Sequence, residues 1–348
     1  MVVRRRKSRK KKKSSGMARF LLLMLLGLGL AAGAAAWLIL MPFGPGRETF
    51  VELAPGSSTA RIGRQLEEAG VVRSRYAFDL MRWVKRGTLR AGEYRFDHPA
   101  PVGEVYARIA RGDVHTRTVV IPEGESVFDI ATRLEQAGFG TRQDFLDAAR
   151  EQVGLVADLD PNAKSLEGYL FPDTYHFARK ATPGQICAAM VRRFRAVAAQ
   201  LGLKEDVHAV VTMASLVERE TAVDGERPLV ASVFVNRLAK KMPLMTDPSV
   251  IYGLEIDDRW RGTLYASDLK FDTPYNTYLH PGLPPSPIAN PGAKSLRAAM
   301  EPAHTNYLYF VASGANPQGG SLFSSTLEEH NHNVAGYRHA VKRKAGTR

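Results

Sequence analysis

The sequence predicts an α+β protein in three parts: a single N-terminal membrane-spanning helix, small strand–helix–helix–strand subdomains, and a mainly helical C-terminal domain with short strands. An uncharged apolar run fills residues 20–43, a repeat at an offset of 68 residues follows it, and apolar residues beyond residue 180 recur at helical spacing. The chain has 348 residues and is 45% hydrophobic, which is enough to bury cores in two or three domains.

Positive charge is concentrated at the N-terminus. Residues 1–19 hold ten Lys or Arg and no acid, so that a formal net charge of +13 falls to about +3 for the rest. The remaining balance is ordinary, and we therefore expect no nucleic-acid partner. The single cysteine, Cys187, excludes an intrachain disulfide framework. Histidine spacing is poor for a metal site, and no phosphate- or dinucleotide-binding motif is present, so no metal or cofactor is expected.

The uncharged run is predicted to be a retained membrane anchor. At about 1.5 Å per residue it is long enough to cross a hydrocarbon core of about 30 Å. It is longer than the apolar region of a signal peptide and lacks a small-x-small cleavage site. By the positive-inside rule, the basic tail lies in the cytoplasm, where it attracts anionic lipid, and residues 47–348 lie in the periplasm.

The repeat pairs VELAPGSSTARIGRQLEEAG, residues 51–70, with VVIPEGESVFDIATRLEQAG, residues 119–138. Each copy is typical of a strand, a Pro/Gly turn, a helix capped by Ser or Thr, and a Gly stop. A second helix over 76–84 and a returning strand over 89–96 complete the first copy. This βααβ order resembles small LysM-like carbohydrate-binding modules. The alternative is a packing repeat with no ligand.

Helical spacing dominates the C-terminal half. Thr182-Pro183-Gly184-Gln185 is typical of a capping box with proline at the first helical position, and further helices are predicted over 207–220 and 228–240. The prolines of residues 271–292 predict a rigid loop. The remaining predictions are short strands over 308–312 and 321–324 and a basic, frayed tail from residue 338.

Glu218 is the first candidate for acid–base chemistry. It ends the apolar segment 207–217, and on a helix Glu220 points roughly the opposite way. A carboxyl group at the edge of an apolar helix loses solvation, which favours its protonated form, as a proton donor near neutral pH needs. In the alternative interpretation, Glu218 lies on a solvated face, where it caps the helix or pairs with Arg219, Arg227 or Arg237.

Aromatic rings beside amides and acids predict a sugar-binding groove. Such residues cluster in 166–175, in 246–253 and in the Pro-rich loop. The alternative is that Asp247-Pro248 only starts a helix and the loop only packs on the domain. The groove candidates are Glu167, Tyr169, Asp247, Ser249, Tyr252, Asn276 and Tyr278.

Several long motifs occur together and in order. They include ASLVERET at 214–221, LEGYLFPDTY at 166–175, VASVFVNRL at 230–238, and YNTY at 275–278 followed by GLPP. Over about residues 50–337 the chain resembles the endolytic murein transglycosylases, the YceG-like family. The resemblance implies a lyase that cleaves MurNAc–GlcNAc bonds within peptidoglycan strands, leaves 1,6-anhydroMurNAc ends, and terminates nascent strands. It also implies that Glu218 is the essential acid/base.

The resemblance also implies an organisation and partners. The expected partners are peptidoglycan glycan strands, lipid of the cell inner membrane and peptidoglycan synthases. Two other classes stay open: a non-catalytic, membrane-tethered peptidoglycan-binding or cell-wall-organising protein, and a hydrolase that pairs Glu218 with Glu220 or Asp247. The expected divisions are a basic cytoplasmic tail (1–19), a transmembrane helix (20–43), a first-repeat α/β subdomain (47–115), a LysM-like second repeat (116–160), a catalytic domain (161–337) and a basic tail (338–348).

Overall fold

The computed structural model describes residues 15–314, 316 and 319–346, so most of the predicted cytoplasmic tail lies outside the described residues. The chain divides into two compact units, Met1–Thr116 and Arg117–Arg348. Helices and short strands are both present, as the mixed fold class predicts.

The first unit begins with α1 (Ser15–Leu40). Within it, Arg19–Leu40 is long and apolar enough to cross a bilayer, and none of its most apolar part is buried inside the protein. A core helix of a water-soluble domain would bury that surface. This helix is therefore compatible with a membrane anchor.

A βααβ arrangement follows, in the order predicted for the first copy of the repeat. Strands β1 and β2 are antiparallel, with Thr49 opposite Phe96 and Leu53 opposite Gly92. The side chains of Leu53, Leu66, Phe78, Tyr94 and Ile109 are fully enclosed between this hairpin and the helices. The elements are β1 (Thr49–Leu53), α2 (Thr59–Glu68), α3 (Arg75–Lys85), β2 (Gly92–Phe96) and α4 (Val102–Arg111).

The second unit opens with the same order of elements. Strand β3 pairs with β4, and Ser126 caps α5 through a capping box with Asp129. The strand that closes this copy lies after residue 160, in the segment that the sequence analysis assigns to the C-terminal domain. The elements are β3 (Thr116–Val120), α5 (Val127–Gln136), α6 (Arg142–Glu151) and β4 (Thr174–Ala178).

The remaining helices agree closely with the sequence patterns. Thr182 and Gln185 form the predicted capping box of α7, and residues 271–292 contain neither helix nor strand. Strands β5 and β6 form an antiparallel hairpin. Helix α12 extends through the basic tail as far as Gly346, because the segment is rich in Ala, Lys and Arg, which favour a helix. The elements are α7 (Pro183–Leu201), α8 (Val207–Glu220), α9 (Arg227–Ala239), α10 (Asp247–Ile256), α11 (Ala293–Met300), β5 (Tyr309–Ala312), β6 (Ser321–Ser324) and α12 (Leu327–Gly346).

Helix α8 is the central element of this unit. Val211 and Ala214 belong to one hydrophobic core, and Leu216 and Val217 belong to a second core on another side of the helix. A helix that is apolar all round can only be buried. Its last turn alone carries acids, so the packing of α8 fixes where Glu218 and Glu220 emerge.

Candidate active site

Glu218 lies in a buried ion pair. Its side chain is 5% exposed, and its Oε1 accepts a hydrogen bond of 2.9 Å from Nη2 of Arg227, which is also 5% exposed. Its Oε2 accepts a second bond of 2.9 Å from the backbone N–H of Gly292. Both carboxylate oxygens therefore have a donor. The pairing with Arg227 agrees with the alternative interpretation, but the pair is buried and does not lie on a solvated face.

Arg227 connects this pair to the surrounding helices. Its Nε donates to Ser295 Oγ at 2.9 Å, and its Nη1 forms an ion pair with Asp224, which also pairs with Lys294. We call Glu218, Arg227, Asp224 and Lys294 the Glu218 brace. Because the brace joins α8, the start of α9 and the start of α11, it holds three helix ends together.

Glu220 has a different environment. It is largely buried, and burial, followed by the negative charge of Asp247, raises the pKa of its carboxyl group to about 7. The charges of Arg237 and Arg219 act in the opposite direction but are weaker. Among the described residues, no hydrogen bond to this carboxyl group is present. A glutamic acid with a pKa near 7 is populated in both its acidic and basic forms at neutral pH.

A cavity of about 490 Å³ lies in front of Glu220, and we call it the Glu220 cavity. Its wall is built by the end of α8, helix α9, the start of α10, the Pro-rich loop, β5 and the start of α12. Its polar and aromatic lining includes Glu220, Arg237, Asp247, Tyr278, Tyr309 and Asn331.

The polar groups of the cavity wall are held in place. The hydroxyl of Tyr278 donates to Asp247 Oδ1 at 2.7 Å, and burial together with this bond raises the pKa of Tyr278, so that it stays a donor. Arg237 donates to the carbonyls of Leu308 and Leu244, at 2.7 Å each, and its guanidinium lies 5.4 Å from the Tyr309 ring centre. The wall is therefore preorganised.

Two of the predicted groove residues lie in this cavity, namely Asp247 and Tyr278. Tyr169 lies elsewhere, in the core of the second unit: it is 1% exposed, its ring packs edge-on against Phe194, and its hydroxyl donates to Asp160 Oδ2 at 2.6 Å. This placement corrects the expectation of a sugar-binding tyrosine, because no part of the ring is available to a ligand.

Glu167 is also enclosed, with 1% of its surface exposed. Its carboxyl group accepts bonds from the Val127 N–H at 2.8 Å and from Asn290 Nδ2 at 2.7 Å. Burial raises its pKa to about 8. Instead of facing a groove, Glu167 joins the N-terminus of α5 to the Pro-rich loop.

The other three groove candidates do not line the Glu220 cavity. Ser249 Oγ donates to the Thr246 carbonyl at 2.8 Å, and Asn276 Nδ2 donates to the carbonyls of Leu269 and Phe271. Tyr252 is 5% exposed and packs against Tyr275. These placements also correct the sequence analysis. A buried loop must satisfy its backbone carbonyls, and amide and hydroxyl side chains do so here.

The sequence patterns give little indication of the part of the site that lies nearest to Glu220. They indicate Arg237 only as a possible partner of Glu218, they give no indication of Asn331, and they suggest Glu220 only as a second carboxyl group beside Glu218. The helical wheel does predict that Glu218 and Glu220 point in different directions and therefore have different environments. Among the described residues, no group of three or more His, Cys, Asp or Glu is arranged to hold a metal ion.

Comparison with known proteins agrees with the motifs. The model of the YceG-like family matches residues 51–336. This chain belongs to the YceG-like family. A Bacillus subtilis (strain 168) relative named endolytic murein transglycosylase is 32% identical over 302 residues, which cover 81% of this chain and 82% of the relative.

Further YceG-like proteins extend the comparison. A Streptococcus pneumoniae (strain D39) relative of the same name is 29% identical over 325 residues, and the match covers 82% of this chain and 57% of that relative. A 2.6 Å crystal structure of a yceG-like protein from Listeria monocytogenes is 32% identical. It superimposes with a TM-score of 0.53, over 83% of this chain and 99% of the other.

Proposed function

We propose that this protein is a membrane-anchored, endolytic peptidoglycan lytic transglycosylase in which Glu220 gives and takes the proton. The observation that carries this proposal is a carboxyl group with a pKa of about 7 in a preorganised polar cavity. The names of the relatives supply the substrate, murein, and the class of reaction.

In the first step, protonated Glu220 donates its proton to the oxygen that bridges MurNAc C1 and the next GlcNAc. The C1–O bond breaks, and its electron pair stays on the departing oxygen. Positive charge then develops at C1. A donor whose pKa lies near the working pH is well suited to this transfer.

In the second step, the Glu220 carboxylate accepts the proton of the MurNAc 6-hydroxyl while O6 bonds to C1. The product is a 1,6-anhydro ring, and Glu220 is protonated again. No water enters, so no second carboxyl group is needed to activate one, unlike in most glycoside hydrolases. One carboxyl group, that of Glu220, thus suffices for both proton transfers.

Asp247 and Tyr278 are proposed to assist from the same cavity. The carboxylate of Asp247 favours positive charge at C1 and also raises the pKa of Glu220. The hydroxyl of Tyr278 fixes the orientation of that carboxylate. Both residues are polar wall groups within reach of a ligand in the cavity.

Glu218, the acid/base that the family resemblance implies, is proposed instead to position the end of α8. Its buried pair with Arg227 and its bond to Gly292 support this role. The assignment of Glu218 as acid/base is tested against Glu220 by paired glutamine variants, as described below.

Anchoring in the inner membrane is proposed on two grounds: the apolar, unburied helix Arg19–Leu40 and the basic residues before it. With the N-terminus in the cytoplasm, the cavity faces the periplasm. An enzyme held at this surface meets glycan strands as they are made. We therefore propose that it terminates nascent strands beside peptidoglycan synthases and that the βααβ copy after residue 116 is LysM-like and binds glycan.

Product analysis tests the proposed reaction. Full-length protein in detergent is incubated with purified sacculi, and the released fragments are analysed by mass spectrometry. We expect internal cleavage with 1,6-anhydroMurNAc ends, one water lighter than hydrolytic ends. Reducing ends would indicate a hydrolase, and binding without cleavage would indicate the non-catalytic tether.

A further inference from the structure

We propose that α3 of the first unit is a membrane-docking helix that lies on the surface of an anionic bilayer. Four of its large side chains are exposed: Tyr76 at 67%, Leu80 at 41%, Trp83 at 69% and Val84 at 61%. They are spaced by four, seven and eight residues from the first, which places them on one side of the helix. We call these four residues the α3 stripe.

The α3 stripe is not the part of the helix that packs the domain. Ala77 and Phe78 are buried in the core of the first unit, and Met81 packs against that core. These residues face another side of α3. The helix therefore has one apolar side for its own domain and a second apolar side for another partner.

Basic residues border the stripe. Arg75, Arg82 and Arg86 lie along one edge of the stripe, together with Asp79, which is the one acid among residues 75–86. An apolar stripe containing Trp and Tyr beside Lys and Arg is typical of helices that lie in the bilayer interface. There the rings enter the headgroup region, and the cations meet lipid phosphates.

The first unit is joined directly to the anchor helix, and the inference rests on the anchoring proposed above. Leu38 and Ile39, in the last turn of α1, pack against the core of the unit. The guanidinium of Arg73 lies 4.0 Å from the ring centre of Trp37 and 4.8 Å from that of Phe43. Because α3 starts at Arg75, its first turn is held near the end of α1, where the chain leaves the membrane.

A glycan is the other ligand that an exposed tryptophan suggests. Trp83 borders a groove of about 550 Å³ that is also lined by Thr59, Asp79 and Arg82. However, Leu80 and Val84 offer a sugar no hydrogen-bonding group, and the cationic border matches lipid phosphates better than neutral sugar rings. We therefore commit to lipid and use glycan as a competing outcome.

Tryptophan fluorescence tests the proposal in the full-length protein. The chain has three tryptophans, Trp37, Trp83 and Trp260. Replacing two of them with Phe leaves Trp83 alone in one variant and Trp37 alone in another. Both are reconstituted in vesicles containing phosphatidylglycerol, with or without bromine on the acyl chains. We expect bromine to reduce Trp83 emission about two-fold, because its ring lies in the interface.

A control variant and the Trp37 signal separate the outcomes. Leu80→Gln with Val84→Gln changes only exposed side chains and should abolish most of the Trp83 quenching without changing that of Trp37. If Trp37 is quenched and Trp83 is not, the docking proposal is wrong although the anchor is inserted. If neither is quenched, both anchoring and docking are wrong. Emission of Trp83 that responds to soluble glycan fragments, but not to brominated lipid, would assign the stripe to glycan.

Discussion

Two acids that lie two residues apart on α8 meet opposite environments. Glu218 is 5% exposed and contacts Arg227 and the Gly292 N–H. Glu220 is also largely buried, but it faces the like charge of Asp247 across a cavity, and its pKa is raised to about 7. The helix turns by about 200° between them, so the two side chains leave on different sides.

The comparison shows that burial alone does not decide the environment of a carboxyl group. Removal from water disfavours the charged form of a carboxyl group, whereas an opposite charge or two hydrogen-bond donors favour that form. In the Glu218 brace each carboxylate oxygen accepts a hydrogen bond. In the Glu220 cavity the negative charge of Asp247 raises the pKa of Glu220 in addition to the effect of burial. The two acids are neighbours in sequence and both are largely buried, so the groups around each of them make the difference.

The largest expected effect comes from Glu220→Gln. The amide keeps the shape of the side chain but cannot donate or recover a proton, so we expect the release of 1,6-anhydro ends to fall about 10³-fold. The melting temperature should change little. Rates are measured on sacculi at equal protein concentration. Parental activity in this variant would remove Glu220 from the mechanism.

Glu218→Gln is the matched control and should act mainly on stability. It leaves Arg227 without its buried counter-charge, and we expect the free energy of unfolding to fall by about 2 kcal/mol. Chemical denaturation measures this change. The folded fraction should keep most of its activity. A stable but inactive Glu218→Gln protein would return the acid/base role to Glu218.

Asp247→Asn should change the pH dependence of the rate. The charge of Asp247 helps to raise the pKa of Glu220, so its removal lowers that pKa. The protonated donor is then lost at a lower pH, and we expect the alkaline limb of kcat/KM to move down by up to about one pH unit. Tyr278→Phe keeps the carboxylate and serves as the comparison. An unmoved limb would mean that Asp247 does not act on the titrating group.

A smaller effect concerns stability and pH. Burial raises the pKa of Glu167 to about 8 and that of Glu220 to about 7, both from 4.5. A carboxyl group whose pKa is raised by folding stabilises the fold at pH values below its pKa in the unfolded chain. This contribution is lost as the pH rises through the pKa of the group in the folded protein. We expect the melting temperature to fall by about 10 °C from about pH 5 to about pH 9. Calorimetry measures this change, and Glu220→Gln should reduce the slope. A rising melting temperature would contradict both pKa values.

Local signals in the sequence were sufficient for much of the fold. The capping box of Thr182 and Gln185, the repeat, and the prolines of 271–292 each determine structure within a few residues, and the structure agrees with them. The strand that completes the second βααβ copy was not recognised. Strand β4 starts 54 residues after the end of β3, so its pairing is not a local property.

The site was less predictable because its chemistry depends on distant partners. The helical wheel separates Glu218 from Glu220, but the N–H that binds Glu218 is 74 residues away. Composition also failed to distinguish functions, because the aromatic, amide and hydroxyl groups typical of a sugar site also satisfy a buried loop. Asn276 does this and Tyr169 packs in the core, whereas Asp247 and Tyr278 line the cavity.

The most direct test of the account is the titration of the Glu220 carboxyl group itself. Full-length protein labelled with ¹³C at the glutamate side-chain carboxyl carbon is titrated by NMR, and the spectra are compared with those of Glu220→Gln. The account predicts a signal that titrates with a midpoint near pH 7 and is missing from that variant. A midpoint near 4.5, the ordinary value for glutamic acid, would contradict it.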